Sequence, residues 1–294
     1  MSLVRPSPAK VNLILNILGR RPDGFHELET VMHPVDLCDE LRFARAGREV
    51  ELTCNDPSLA VDGTNLVFKA AQAFRSAAGL GEGVRIHLEK RIPMAAGLGG
   101  GSGNAATTLL GLNELFGRPL PDTTLTELAA QLGSDVPFFL QPRPALATGR
   151  GERVTSLDWF PALQGVWALL IHPGFGIATP WAYQNLARFP AALNGTAGRA
   201  ARLVERLQHA TLAEAAAGFY NSLEAPALDK YPILALYQEF LREAGALATL
   251  MSGSGSTTFA LAADQAGAEG LRDRFVGRFG PSSWTAVRRL HFSL

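Results

Sequence analysis

Along residues 9–17 apolar and polar side chains alternate. Ala9, Val11, Leu13, Leu15 and Ile17 fall on one face, and Lys10, Asn12, Ile14 and Asn16 on the other. A period of two predicts a strand with one buried face. Short strands are predicted at 40–43 and 50–54, and residues 84–89 alternate again. Between them Val67, Ala70, Ala71 and Phe74 recur at helical spacing and predict a helix over 65–78. A second helix carries Ala105, Leu109, Leu112 and Phe116 on one face and closes at Gly117 and Pro119. A third places Leu125, Leu128, Ala129 and Leu132 on one stripe and stops at Gly133, with Asp135 just behind it. Further on, helices are expected at 199–209, 212–219 and 233–244, and strands at 166–171, 248–251 and 257–262. Strands and helices interleave without a regular βαβ cadence, which reads as an α+β fold in two layers.

Composition narrows this picture. With 294 residues, 47% of them hydrophobic and 18% charged, the chain can bury a sizeable core. At about 150 residues per domain its length fits about two domains. A turn to Gly, Arg, Asp and Pro near 150–165 places the boundary close to Val154, giving domains 1–154 and 155–294. Lys plus Arg equals Asp plus Glu at 27 each, which removes the broad basic excess of a protein whose main partner is nucleic acid or an anionic membrane. The longest apolar runs, such as 166–171, fall far short of the roughly 20 residues of a membrane span. The first ten residues lack the apolar core of a secretion signal. Cys38 and Cys54 have neither metal-ligand nor redox spacing, so the pattern fits unpaired thiols in a reducing, cytoplasmic compartment.

The chemistry concentrates in a glycine loop. Pro93, Met94, Ala95, Ala96, Gly97, Leu98, Gly99, Gly100, Gly101, Ser102 and Gly103 run directly into the second helix. Residues without side chains let backbone N–H groups approach an anion, and a helix N-terminus adds partial positive charge, so a polyphosphate fits there. The loop lacks the lysine of a G-x-x-x-x-G-K-[ST] phosphate loop. Gly101, Gly103 and Ala106 satisfy a relaxed dinucleotide pattern, but a long segment, 91–100, separates them from the preceding strand, and Asp122 lies in a loop rather than at a strand end. Ser7 and Lys10 match the S-x-x-K of penicillin-binding enzymes, yet Pro6 and Pro8 specify extended chain where that motif needs a helix, and no K-T-G occurs.

Phosphoryl transfer needs positioning, cationic charge and usually a group that accepts the hydroxyl proton. Lys10 and Asp135 are candidates for the last two. Taken alone, Lys10 reads more readily as a surface lysine with its stem laid down, and Asp135 as a helix cap ahead of Pro137. A third element, Ser252, Gly253, Ser254 and Gly255 between two apolar strands, offers donors to a phosphate or simply closes a hairpin.

In this order the three elements resemble the superfamily of galactokinase, homoserine kinase, mevalonate kinase and phosphomevalonate kinase. Residues 8–12 (Pro-Ala-Lys-Val-Asn) are similar to its first motif, 93–106 to its second and 251–256 to its third. The runs Arg21-Pro-Asp-Gly-Phe-His-Glu-Leu, Leu132-Gly-Ser-Asp-Val-Pro-Phe-Phe, His172-Pro-Gly and Tyr220-Asn-Ser-Leu-Glu extend the likeness from about Pro8 to Thr258 and point to the branch acting on a cytidine diphosphate-linked alcohol of the non-mevalonate isoprenoid route. The resemblance implies an N-terminal domain like part of a ribosomal protein and a C-terminal α+β domain. It implies ATP with Mg2+ and a small-molecule acceptor, without nucleic acid or membrane, in a monomer or homodimer. It implies catalysis by Lys10 and Asp135, a nucleotide held by residues 93–103, and a substrate held by Asn12, Phe25, His26 and Tyr183, the aromatics stacking on cytosine and the imidazole hydrogen-bonding to it. Magnesium would travel with the nucleotide, with Ser102 a candidate ligand and no resident metal site. A homoserine- or mevalonate-type kinase and an idle nucleotide-binding protein are the alternatives. The chain departs from the family pattern at Phe25, where tyrosine is more usual, at Gly103, where a serine usually follows Ser102, and at Ser134, where alanine is usual.

Overall fold

The computed structural model describes residues 2–290. Its elements in chain order begin with β1 (Ser2–Arg20), β2 (His26–Arg45), β3 (Val50–Cys54), α1 (Leu66–Ala77), β4 (Val84–Glu89), α2 (Gly100–Leu115) and α3 (Asp122–Leu132). They continue with β5 (Ala145–Gly149), β6 (Arg153–Ser156), β7 (Trp167–His172), α4 (Thr179–Asn185), α5 (Pro190–Leu193), α6 (Arg199–His209), α7 (Leu212–Ala216), β8 (Tyr220–Asn221) and α8 (Glu224–Lys230). The last are α9 (Pro232–Glu243), β9 (Ala248–Met251), β10 (Thr258–Ala262), α10 (Gln265–Phe279) and β11 (Trp284–Arg289). No helix among the described residues is long and apolar enough to cross a membrane. The residues fall into two compact units that interleave in sequence. One takes the chain up to Ala9, Leu37–Pro93 and Gly99–Pro142; the other takes Lys10–Asp36, Met94–Leu98 and the described chain from Arg143 on.

In the first unit β3 runs parallel to β4, and β4 pairs antiparallel with the end of β2, so that Leu52 and Phe43 both register with Ile86. The amphipathic face of α1 buries Val67, Ala70, Ala71 and Phe74, and the Asn65 side chain caps it by accepting from Val67 N–H at 2.9 Å. Helix α2 passes close to β2 at Gly111, where a Cβ would come within 2.6 Å of the Phe43 ring. Asp39 is fully buried, accepts from the N–H groups of Arg91 (2.7 Å) and Ile92 (2.9 Å), and pairs with Lys90. A buried carboxylate needs such compensation, and here it fixes the chain entering the glycine loop.

In the second unit the start of β2 pairs antiparallel with β5, and β1 pairs parallel with β8, Ile14 opposite Tyr220. A separate antiparallel sheet has the order β11-β7-β10-β9. Helices α9 and α10 lay Tyr237, Leu241, Ala268, Leu271 and Phe275 on its Leu169, Ile171, Ala260 and Val287. A second cluster gathers Leu15, Ile17 and Leu28 with Ile177, Ala182, Leu223, Leu234 and Met251. Buried Glu29 accepts from Asn16 Nδ2 (2.9 Å), Gly198 N–H (3.0 Å) and Ala200 N–H (3.1 Å), which places a carboxylate at the N-terminus of α6.

Two expectations need correcting. The strand at 9–17 is buried on both faces, since Lys10, Asn12 and Asn16 are no more than 2% exposed; its polar face points into a hydrogen-bonded interior instead of solvent. The strand expected at 40–43 is the end of β2, which starts at His26. Its first part escapes the alternation test because residues 28–35 are buried on both faces. Pro34 lies after Leu28–Met32, which pair with β5, and before Glu40–Arg45, which pair with β4, so neither of those two ladders needs its missing N–H.

Candidate active site

Lys10 is not a surface lysine. Its Nζ donates to Asn12 Oδ1 at 2.6 Å, Asn12 Nδ2 donates to Thr30 Oγ1 at 2.8 Å, and Thr30 Oγ1 donates to the Ile14 carbonyl at 2.5 Å. Because the Thr30 proton is committed to a carbonyl, its oxygen is left to accept, and that settles which end of the Asn12 amide faces the lysine. The strand pattern puts Lys10 and Asn12 on one face, and the chain of donors then immobilises the ammonium.

The glycine loop is tied to this group. Lys10 N–H donates to the Leu98 carbonyl at 2.9 Å, Thr257 N–H to that of Ala96 at 3.2 Å, and Ser252 Oγ to that of Gly97 at 2.9 Å. Gly97 has φ +75°, and a Cβ there would collide with the Ser252 carbonyl, so both conformation and space demand glycine. Gly253 has more room but faces the same groups: a Cβ on it would lie 3.1 Å from Gly97 O, 3.2 Å from Lys10 Nζ and 3.4 Å from Asn12 Oδ1. The 252–255 turn is therefore buried beside Lys10. It also closes a hairpin, since Met251 pairs with Thr258 across it. In the first unit Gly99 caps α2 in the left-handed conformation without a side-chain cap bond, which leaves the first-turn N–H groups to other acceptors. Gly103 faces away from such an acceptor, because a Cβ on it would lie 2.9 Å from Pro8 O and 3.1 Å from Ser7 Oγ. The hydroxyl missing at this position is thus missing from a packed face. Ser7 itself is fully buried in β1, a poor place for the nucleophile of a hydrolase.

Sequence reasoning missed the groups that hold the turn from behind. Asn221 Nδ2 donates to the carbonyls of Met251 and Gly253, both at 2.8 Å, while its Oδ1 accepts from Leu223 N–H at 2.9 Å. Glu224 Oε1 accepts from Met251 N–H at 2.8 Å and Gln238 Nε2 at 2.6 Å, and burial pushes its carboxyl above the ordinary range. Ser254 Oγ lies 2.9 Å from Thr179 Oγ1. The run Tyr220-Asn-Ser-Leu-Glu was a signal, but its purpose lies in contacts far along the chain.

Asp135 belongs to the first unit, half-buried in the turn between α3 and the short 3-10 segment Pro137–Leu140. The cap position of that segment is Val136, the residue after Asp135. Phe25, His26 and Tyr183 all lie in the second unit. His26 and Tyr183 have ring centroids 5.1 Å apart at 39°. Phe25 is 50% exposed, and the Arg150 guanidinium sits 4.6 Å from its ring centroid. Burial, and secondarily the charge of Arg20, hold the His26 imidazole below its ordinary value.

Phosphoryl transfer calls for a fixed cationic charge and for donors to phosphate, and a buried lysine with a fixed partner, a glycine loop leading into a helix and a polar turn locked to that loop can supply them. The profile of the GHMP kinases N terminal domain matches residues 65–142, and that of the GHMP kinases C terminal matches residues 196–282. A 4-diphosphocytidyl-2-C-methyl-D-erythritol kinase of Gloeobacter violaceus is 43% identical over 92% of this chain and 89% of its own. One from Geobacter metallireducens is 40% identical over 98% of this chain and 99% of its own. A crystal structure of 4-(cytidine 5'-diphospho)-2C-methyl-D-erythritol kinase superposes with a TM-score of 0.79 at 37% identity, covering 98% of this chain and 99% of that one. The chain belongs to the GHMP kinases, ATP-dependent enzymes acting on small molecules with a two-domain α+β architecture, and within them to the family of 4-diphosphocytidyl-2-C-methyl-D-erythritol kinases.

Proposed function

We propose that the chain transfers the γ-phosphoryl of ATP to the 2-hydroxyl of 4-diphosphocytidyl-2-C-methyl-D-erythritol, giving the 2-phosphate and ADP in the non-mevalonate route to isoprenoid precursors. The observation that carries the reading is the packing of Gly253 against Lys10 Nζ, Asn12 Oδ1 and Gly97 O at once. That packing gathers a cation, a polar turn and the glycine loop in one place. The substrate oxygen attacks the γ-phosphorus as the bond from phosphorus to the β–γ bridging oxygen breaks. Asp135 takes the hydroxyl proton, and Lys10 offsets the charge that grows on the transferring group. Asn12 keeps the ammonium aimed, residues 93–103 hold the nucleotide, and the 252–255 turn supplies further donors.

Cytosine recognition is assigned to Phe25, His26 and Tyr183. The proximity of His26 and Tyr183, with Phe25 exposed in the same unit, supports this. Residues 93–103 offer the Ser102 hydroxyl and no carboxylate, a donor set suited to a magnesium ion already wrapped in phosphate oxygens and water. When bound, that ion supplies charge neutralisation at the phosphates. The family profiles fall on either side of Val154, which supports 1–154 and 155–294 as the two sequence domains. A cytoplasmic site of action, with monomer or homodimer as the working state, completes the reading.

The test is ADP release by purified protein with Mg-ATP and this substrate, beside homoserine and mevalonate, and beside Asp135→Asn. The expected result is substrate-dependent ADP with the cytidine compound alone. Asp135→Asn should lose roughly 100-fold or more in kcat while ATP binding stays nearly intact. ADP with another acceptor would reassign the substrate. Silence with every acceptor despite ATP binding would favour an idle nucleotide-binding protein. Weaker ATP binding with unchanged kcat would remove Asp135 as the base.

A further inference from the structure

The carbonyls of Met251 and Gly253 both end on the one Asn221 amide nitrogen, while Met251 N–H ends on Glu224. In a trans peptide the C=O and N–H groups point in opposite directions. Pulling the Gly253 carbonyl back to Asn221 therefore turns the next N–H, that of Ser254, away from Asn221. Asn221 is only 2% exposed, and its Oδ1 is committed to Leu223 N–H at 2.9 Å, so its amide has a single useful orientation. Gly253, held between these ties, has φ +56° and lies against Lys10 Nζ. The turn in front also closes on itself, Gly255 N–H donating to the Ser252 carbonyl and Ser252 N–H to that of Thr257, both at 2.9 Å, but neither bond holds the Gly253 carbonyl.

We infer that Asn221 is a positioning residue for phosphoryl transfer, seconded by Glu224: it sets the peptide planes of the 252–255 turn, and through Gly253 the place of the Lys10 ammonium, without touching either substrate. The inference rests on the assignment of this turn and Lys10 to the phosphate end of the ATP reaction. Its chemistry is specific to an amide. Aspartate has the same shape and keeps the acceptor for Leu223 N–H, but its carboxylate has no donor for the two carbonyls and repels them. Displacements of this kind, about 1 Å at a group aligned with a reacting bond, cost on the order of 100-fold in rate.

The experiment compares wild type and Asn221→Asp for kcat, for ATP affinity, and for binding of cytidine 5'-diphosphate by calorimetry. The last reports on the His26 and Tyr183 region and checks that the unit is folded. The expected result is a kcat lower by roughly 30- to 100-fold with several-fold weaker ATP binding, and cytidine 5'-diphosphate affinity within about twofold of wild type. Glu224→Leu, which keeps the volume and drops the acceptor for Met251 N–H, is the second variant should the first fail to fold. It should shift kcat and ATP affinity in the same direction and again spare the cytidine ligand. Unchanged kcat and ATP affinity in a folded variant would overturn the inference, as would equal loss of both ligands, the mark of a merely structural role. Failure of the wild type to release ADP with the cytidine substrate would instead overturn the functional reading, and is seen before any variant is made.

Discussion

Burial and the nearby Arg20 charge keep the His26 ring neutral to lower pH than its ordinary value of 6.5 would allow. A neutral imidazole can both donate to and accept from a cytosine edge, whereas the protonated ring can only donate. As pH falls through the lowered pKa, the KM for the cytidine substrate should rise while the KM for ATP stays flat, with the inflection below 6.5. In His26→Asn the KM for the cytidine substrate should be high throughout and the inflection absent. Steady-state kinetics between about pH 5 and 8 checks this; parallel movement of both KM values would place His26 outside the cytidine pocket. Lys10, Asp135 and His26 were legible as candidates because each stands in a short run with a recognisable pattern. Thr30 and Asn221 were not, since the first acts on Asn12 across 18 positions and the second on Met251 across 30. Even where the run is recognisable, as at Asn221, what such a side chain holds shows only in the fold.

Two glycines of one loop separate conformational from functional demand at the scale of an element. Gly97 is left-handed with a backbone carbonyl in the way of any Cβ, whereas Gly101 opens α2 with nothing nearer to a Cβ than Leu66 at 3.6 Å. Gly97→Ala should lower stability by about 1–3 kcal/mol through strain and the displaced turn. Gly101→Ala should instead gain up to about 1 kcal/mol of helix propensity and leave folding intact, yet raise the KM for ATP if the bare backbone there approaches phosphate. Denaturant melts read beside ATP kinetics distinguish the two, and a Gly101→Ala protein with wild-type ATP kinetics would remove that residue from the nucleotide cradle. The helices at 65–78, 199–209 and 233–244 were readable because each presents one apolar stripe to a core. β2 was not, for a strand covered on both faces loses its alternation. α10 went unanticipated because only Ala268, Leu271 and Phe275 are buried along a stretch holding three glycines and many charges.

For the whole chain, composition and motif order were enough to indicate a two-domain α+β kinase, because the bulk apolar content and the sequence of the three motifs are one-dimensional properties. How the chain divides into compact units is not one-dimensional: β1 and β2 each pass through both units, so proximity along the chain fails to tell which residues share a core. That division carries a thermodynamic consequence. The cytosine-recognition candidates Phe25, His26 and Tyr183 all belong to the unit that contains both the Leu15–Met251 and the Leu169–Phe275 clusters. A ligand that binds only native protein stabilises it by about 2.7 kcal/mol at a hundred times its Kd. Cytidine 5'-diphosphate at that level should therefore raise the calorimetric transition of this unit by several degrees. His26→Ala, scanned at the same ligand concentration, should lose most of the shift, because the free concentration no longer exceeds its weakened Kd. A full shift retained in His26→Ala would move cytidine recognition elsewhere on the chain, and a transition unmoved in the wild type would argue that the cytidine part of the substrate contributes little binding energy of its own.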